Sequence, residues 1–159
     1  MGNEEIRYST IVDFIKHCRI EDTRILDVGC GYGALVKYLK TEDYSSYLGI
    51  DLSDNAIYKA RKTNFQKSEF LIADAHQFHP KKTFDVIIFN EVLYYLDCQM
   101  EVVGRYSEFL ENSGYFIFSF FGGREDLVQE LNKKYTLIKR ETVQDSNKLS
   151  WCICLFKVV

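Results

Sequence analysis

Asp27-Val28-Gly29-Cys30-Gly31-Tyr32-Gly33 sets a carboxylate directly ahead of three glycines, and further polar side chains follow at Asp51, Asp74 and Asn90. Gly29 and Gly31 lack a Cβ, so the turn can bend tightly and bring its backbone close to a ligand. The chemistry depends on Asp27, because a carboxylate beside a pyrophosphate is repulsive in a partly desolvated site. It attracts a cation instead. Asp51 offers two acceptor oxygens, which match two adjacent hydroxyls such as those of a ribose. Glu91 and Tyr94 add a group able to take a proton or orient an amine, and a phenol able to hydrogen-bond or cap the site.

Alternating short apolar runs and amphipathic stretches must position these groups. The spacing of Ile11, Val12, Phe14, Ile15 and Cys18 predicts a helix over 9–19, with Arg7, Asp13, Lys16 and Arg19 mostly off its apolar face. Strands are expected at 24–28, 46–51, 68–72, 84–89 and 114–121, with helices at 33–40, 54–63 and 99–111 between them. This order predicts a parallel sheet with helices on both faces. Asp85-Val86-Ile87-Ile88-Phe89 is nearly all apolar, as befits a central strand. A helix over 124–134 then leads to two strands, 135–142 and 149–157, which the polar Gln144-Asp145-Ser146-Asn147 joins as an antiparallel hairpin. The expected fold is α/β: one doubly wound, seven-stranded, mostly parallel sheet ending in that hairpin.

The chain has 159 residues, 47% of them hydrophobic, which suits one domain spanning 1–159 with a substantial core. Residues 1–22 form an N-terminal helix with a possible role as a lid, to which Tyr8 would belong. A net charge of −3 supplies no positive field for nucleic acid or anionic lipid, so a small acceptor fits better. Cys18, Cys30, Cys98, Cys152 and Cys154 make no CxxC pair, so neither a metal site nor a disulfide framework is expected. The absence of a signal-peptide pattern and of a membrane-length apolar run predicts free thiols in the cytoplasm.

Gly29-x-Gly31-x-x-Ala34 also satisfies a permissive dinucleotide motif, and Asp51 falls where a ribose-binding acid belongs. A nicotinamide oxidoreductase is therefore one reading, disfavoured by the charge of Asp27. S-adenosylmethionine meets that charge with an ammonium and a sulfonium, and it carries no phosphate. The sequence resembles the class I S-adenosylmethionine-dependent methyltransferases in Asp27-Val28-Gly29-Cys30-Gly31-Tyr32-Gly33. The resemblance continues through Tyr47-Leu48-Gly49-Ile50-Asp51-Leu52-Ser53, Phe70-Leu71-Ile72-Ala73-Asp74-Ala75 and Phe84 to Leu96. It implies that Gly29, Cys30, Gly31 and Gly33 form the turn around the methionine portion, with Asp27 near the ammonium through water. It further implies that Asp51 binds both ribose hydroxyls, Leu52 packs on adenine, Asp74 accepts from the adenine amine and the Ala75 N–H donates to a ring nitrogen. Asn90 would touch the methionine part. Taken singly, each acid also reads as an ordinary loop or capping residue; their register across four strand ends favours the common site.

Asn90-Glu91-Val92-Leu93-Tyr94-Tyr95-Leu96 is the acceptor side that the resemblance implies, closer to small-molecule methyltransferases than to enzymes of DNA bases, whose paired prolines are missing. Glu91 and Tyr94 are the catalytic candidates. Aromatic packing is the competing reading for Tyr94 and Tyr95, solvated loop residues for His76 and His79, and a small packing group for the Cys30 thiol. The expected function is methyl transfer to an oxygen or nitrogen of a small molecule. Without long insertions around the sheet, a second copy of the chain or a protein partner is a candidate to complete the pocket. The alternative is a cofactor-binding regulatory or scaffold subunit.

Overall fold

The computed structural model describes residues 4–159, so the first three residues of the expected N-terminal segment lie outside the described residues. Helix α1 (Glu5–His17) leads into β1 (Arg24–Val28), β2 (Ser46–Asp51), α2 (Asp54–Lys62), β3 (Ser68–Ile72) and β4 (Phe84–Asn90). Then follow α3 (Gln99–Ser107), β5 (Leu110–Phe121), α4 (Glu125–Asn132), β6 (Thr136–Gln144) and β7 (Ser150–Lys157). The seven strands form one sheet in the order β3-β2-β1-β4-β5-β7-β6. Strands β1 to β5 pair in parallel, whereas β7 pairs antiparallel with both β5 and β6. This is the expected doubly wound sheet with a terminal hairpin.

Two-residue alternation along the strands explains why the sheet is covered on both sides. Leu26, Ile50, Phe89, Phe118 and Phe156 face the layer in which α3 and α4 bury Val103, Tyr106 and Leu131. Ile25, Tyr47, Ile88, Ile117 and Leu155 face the opposite layer, built by Ile11, Phe14 and Ile15 of α1 and by Ile57 and Ala60 of α2. Val86 to Phe89 of β4 are fully buried, as a central strand between two helical layers requires. No helix among the described residues is long and apolar enough to cross a membrane.

Three local expectations are corrected. The helix expected over 33–40 is only a 3-10 turn, Leu35–Tyr38. Gly33 has φ +82°, outside the helical region, and Leu39 is already extended. The few residues between them are too short to repay helix nucleation. The helix expected over 99–111 ends at Ser107, and β5 begins at Leu110, where it pairs with Phe84. Arg7, expected off the apolar face, is buried in α1: its guanidinium lies 4.7 Å from the Tyr8 ring centroid and 5.4 Å from that of Trp151. Cation–π contact on two rings offsets part of the loss of water.

Candidate functional site

The strand order reverses between β1 and β4, and crevices for ligands open beyond the carboxyl ends of the strands at such a point. Asp27 near the end of β1, Asp51 closing β2, Asp74 just after β3 and Asn90 closing β4 all lie along this edge. A cavity of about 320 Å³ opens there, with Gly29, Asp51, Leu52, Asp74, Ala75 and His76 among its walls.

The glycine turn is held mainly by the end of β2. The N–H groups of Gly29 and Cys30 both donate to the Ile50 carbonyl, at 2.8 and 2.9 Å, and the Gly33 N–H donates to the Cys30 carbonyl at 3.1 Å. The Gly31 N–H donates to Asp51 Oδ2 at 2.9 Å. Phosphate-binding loops leave such donors free to cradle an anion. Here four of them are already used, and no α-helix follows whose N-terminal dipole would add positive potential. The turn therefore lacks what a dinucleotide requires.

The three glycines do different work. A Cβ on Gly29 would lie 2.7 Å from Val92 Cγ2, and one on Gly33 would lie 3.0 Å from the Phe70 ring. Both positions serve packing. A Cβ on Gly31 would meet nothing within 4 Å, so Gly31 is where the turn faces open space. Cys30 points away: its thiol is buried against Gly49, whose added Cβ would come within 2.7 Å of Sγ. Burial, with Asp27 and Asp51 nearby, pushes that thiol up, which keeps it a packing group.

Asp51 is fixed by two backbone donors, Gly31 N–H to Oδ2 and Ser53 N–H to Oδ1, each at 2.9 Å. Each oxygen keeps one lone-pair direction for a further donor. Asp74 Oδ1 accepts from the backbone N–H of His76 at 2.8 Å and lies 3.0 Å from its Nδ1. These bonds lower the Asp74 pKa. His76 Nε2 accepts from the Asp97 N–H at 3.2 Å, so His76 is a wall of the cavity that ties two loops together. The Ala75 carbonyl is taken by Arg105 Nη2 at 2.6 Å and Tyr106 Oη at 2.9 Å, which pins that loop onto α3. Leu52, 72% exposed, and Tyr95, 76% exposed, both line the cavity with apolar surface.

Asp27 is only 1% exposed. Its Oδ2 accepts from the Tyr47 hydroxyl, while its Oδ1 is buried without a partner. Burial pushes its pKa up to about 7, the Tyr47 hydrogen bond opposes that rise, and Asp51 adds to it. Nε of Arg7 is likewise buried and unpartnered, and the Arg7 charge acts on Asp27 in the lowering direction. Buried orphaned polar atoms cost free energy unless something bonds them. The Asp27 oxygen left this way, beside the glycine turn, suits a cationic amino group.

On the other side of Tyr95 a second cavity, of about 410 Å³, is lined by Arg7, Glu91, Tyr94, Phe121, Arg124 and Trp151 among others. Glu91 has φ +58°, rare for a residue with a Cβ, and is held there by three donors. Ser119 Oγ donates to Oε1 at 2.9 Å, Phe121 N–H donates to Oε2 at 3.0 Å, and the Tyr94 hydroxyl also donates to Oε2. Ser119 Oγ is also 2.7 Å from Asn90 Oδ1, so its single proton is shared between the two side chains. Burial and the neighbouring Glu91 carboxylate push the Tyr94 hydroxyl up, leaving Tyr94 a proton donor and not an anion.

The structure thus gathers Asp27, Gly29, Gly31, Asp51, Leu52, Asp74, Ala75 and Asn90 along one edge, with Glu91 and Tyr94 across Tyr95. Arg7, Tyr47, Ser119 and Trp151 were missed by the sequence reading. Ser119 left a trace, as the lone hydroxyl in Phe116-Ile117-Phe118-Ser119-Phe120-Phe121. Arg7 left none, since a basic residue early in a helix ordinarily faces water.

Comparison with known proteins agrees with this geometry. A family model described as a methyltransferase domain matches residues 20–157. The malonyl-[acyl-carrier protein] O-methyltransferase of Halalkalibacterium halodurans is 30% identical over 128 residues, covering 76% of this chain and 46% of that protein. Human arginine-hydroxylase NDUFAF5, a mitochondrial protein, is 26% identical over 116 residues, covering 73% of this chain and 33% of that protein. The chain therefore spans less than half the length of these relatives. Among solved structures, N-methyltransferase NodS from Bradyrhizobium japonicum shares the fold with a TM-score of 0.83 at 22% identity, covering 98% of this chain and 96% of that one.

Proposed function

Because the chain belongs to the class I S-adenosylmethionine-dependent methyltransferases, we propose that it binds S-adenosylmethionine along the carboxyl edge of its sheet and methylates an oxygen or nitrogen of a small molecule. The observation that carries this reading is a turn in which the N–H groups of Gly29, Cys30, Gly31 and Gly33 are already bonded to protein oxygens, while a buried, orphaned Asp27 oxygen stands beside it. That combination suits a cationic, phosphate-free cofactor. Asp51 would take the ribose hydroxyls on its two remaining lone pairs, and Leu52 and Tyr95 would flank the adenine. Asp74 would accept from the exocyclic amine, while Asp27 would meet the ammonium of the methionine end. When bound, the cofactor supplies a methyl group on a positively charged sulfur that departs as a neutral thioether.

No residue need protonate that leaving group, so the protein's task is alignment, where an ideal fit contributes several kcal/mol. Glu91 and Tyr94 border the acceptor cavity; both would orient the nucleophile, and Glu91 would receive its proton. Glu91 is already clamped by three donors, so it needs no reorganisation when the acceptor arrives.

Titration calorimetry with S-adenosylhomocysteine tests the reading. Binding is expected in the wild type, and Asp51→Ala should weaken it by about 2–4 kcal/mol, the scale for losing charge-assisted hydrogen bonds. Failure of the wild type to bind would refute the proposal, and unchanged affinity in the variant would refute the role of Asp51. The second reading, a cofactor-binding subunit that needs a partner, is favoured by the acceptor cavity's exposed walls, among them Tyr95 and Phe121. It predicts cofactor binding without turnover until the partner is added.

A further inference from the structure

The acceptor cavity's charged walls, Glu4, Arg7, Glu91 and Arg124, are two acids and two bases, but they are not equally paired. Two arginines reach its wall, but each already holds a carboxylate. Arg7 Nη1 lies 3.2 Å from Glu4 Oε1, and Arg124 forms a two-pronged pair with Asp126 through Nε at 2.9 Å and Nη2 at 2.7 Å. Glu91 differs. Its donors are two hydroxyls and one backbone N–H, all neutral, and among the described residues it has no ion pair. A carboxylate has about four acceptor positions, of which these donors occupy one on Oε1 and two on Oε2. One position on Oε1 stays open.

The walls around that carboxylate are aromatic. Tyr94 and Tyr95 lie with ring centroids 4.6 Å apart, and Phe121 meets Trp151 edge-on at 5.9 Å. Rings attract cations through their faces, and this cavity already uses the effect, since Arg7 sits over Trp151. An anionic acceptor would meet an uncompensated carboxylate and π faces, both of which repel it. An aliphatic ammonium would meet the missing counter-charge.

Resting on the reading above, we propose that the methyl acceptor is a primary or secondary amine attached to an apolar or aromatic body, bound as its ammonium ion by Glu91 and the surrounding rings. Glu91 then has a second task. An ammonium has no lone pair, so one N–H proton passes to the carboxylate before the nitrogen can attack. The new N–C bond forms as the C–S bond breaks with its electron pair staying on sulfur. The product is the N-methylated ammonium and a neutral thioether, and Glu91 releases the proton to solvent. Charge balances: two positive charges enter, on nitrogen and sulfur, and two leave, on the methylated nitrogen and the released proton.

The test uses three probes of matched size, 2-phenylethylamine, 2-phenylethanol and phenylacetate, titrated by calorimetry into the full chain saturated with S-adenosylhomocysteine. The amine should bind roughly 10- to 100-fold tighter than the alcohol or the acid, the range for one charge-assisted contact. Glu91→Gln should level the three while S-adenosylhomocysteine still binds, which shows that the variant folds. Tyr94→Phe, which keeps the ring and the Glu91 charge, should preserve the amine preference. Phenylacetate binding as tightly as the amine, equal affinities in the wild type, or no binding of any probe at millimolar concentration would overturn the proposal. A preference that survives Glu91→Gln would overturn the role of Glu91. If S-adenosylhomocysteine itself fails to bind the wild type, the methyltransferase reading falls, and the acceptor proposal with it.

Discussion

Asp27→Asn should stabilise the ligand-free fold and weaken the cofactor complex, two effects of opposite sign from one atom change. Asp27 is almost fully buried, and its pKa is pushed up to about 7 from an unfolded value near 4. Below about pH 4 the carboxyl is protonated in both states and contributes no pH dependence. Between about pH 4 and 7 the native state holds a proton that the unfolded chain has lost, so stability falls as pH rises. Above pH 7 the loss levels off, at about 3 pKa units × 1.36 kcal/mol, or about 4 kcal/mol. The amide cannot ionise, and its oxygen can still accept from the Tyr47 hydroxyl, so the variant escapes that loss. Urea denaturation of both proteins at pH 5 and pH 8 measures it. The variant should be more stable at pH 8 by about 2–4 kcal/mol, with a smaller gain at pH 5. Calorimetry at pH 8 should show weaker S-adenosylhomocysteine binding, because the ammonium has lost its counter-charge. A variant less stable than wild type at pH 8, or a wild type whose stability does not fall between pH 5 and 8, would refute the assignment of a strained acid to this site.

Two further substitutions separate packing from chemistry. Gly29→Ala should destabilise the fold by about 1–3 kcal/mol, read as a lowered denaturation midpoint, because its Cβ meets Val92 Cγ2 at 2.7 Å and φ is +77°. Gly31→Ala serves as its control, with strain from φ +57° but no collision, and should cost less. Ser119→Ala removes a donor shared by Asn90 and Glu91 and leaves their oxygens facing an apolar methyl. Turnover should fall by roughly 10-fold, with a larger change in kcat than in cofactor affinity, since a misplaced Glu91 acts on alignment. Equal losses in both would place Ser119 in the fold and not in the reaction.

The strands, their order of appearance and the carboxylates at their ends were legible because period-two alternation and the positions of acids after apolar runs are local signals. The central position of β4 followed from Val86-Ile87-Ile88-Phe89, which leaves no face for water. The 33–40 helix was not legible, since Ala34 to Lys40 has the right composition and only the backbone shows Gly33 at φ +82° and Leu39 extended. Long-range partners were hidden for another reason. Tyr47 reaches Asp27 from the neighbouring strand, and Arg7 comes from a helix laid across the far part of the sheet, so neither relation has a spacing in the sequence.

The loss of that helix alters the argument about the glycine turn in a useful way. In a phosphate-binding loop the helix both ends the turn and supplies positive potential, so its backbone donors stay free. Here Asp51 ends the turn by accepting from Gly31 and Ser53, and the Ile50 carbonyl takes the donors of Gly29 and Cys30. One side chain therefore closes the loop and also presents its remaining lone pairs to the cavity. Ligand and loop become energetically linked through Asp51, so hydroxyls bound there should slow exchange of the Gly31 and Ser53 amides, which donate to the same carboxylate. Hydrogen exchange with and without S-adenosylhomocysteine measures this directly. Protection at Gly31 and Ser53 is expected, and its absence alongside tight binding would show that the ribose is held elsewhere.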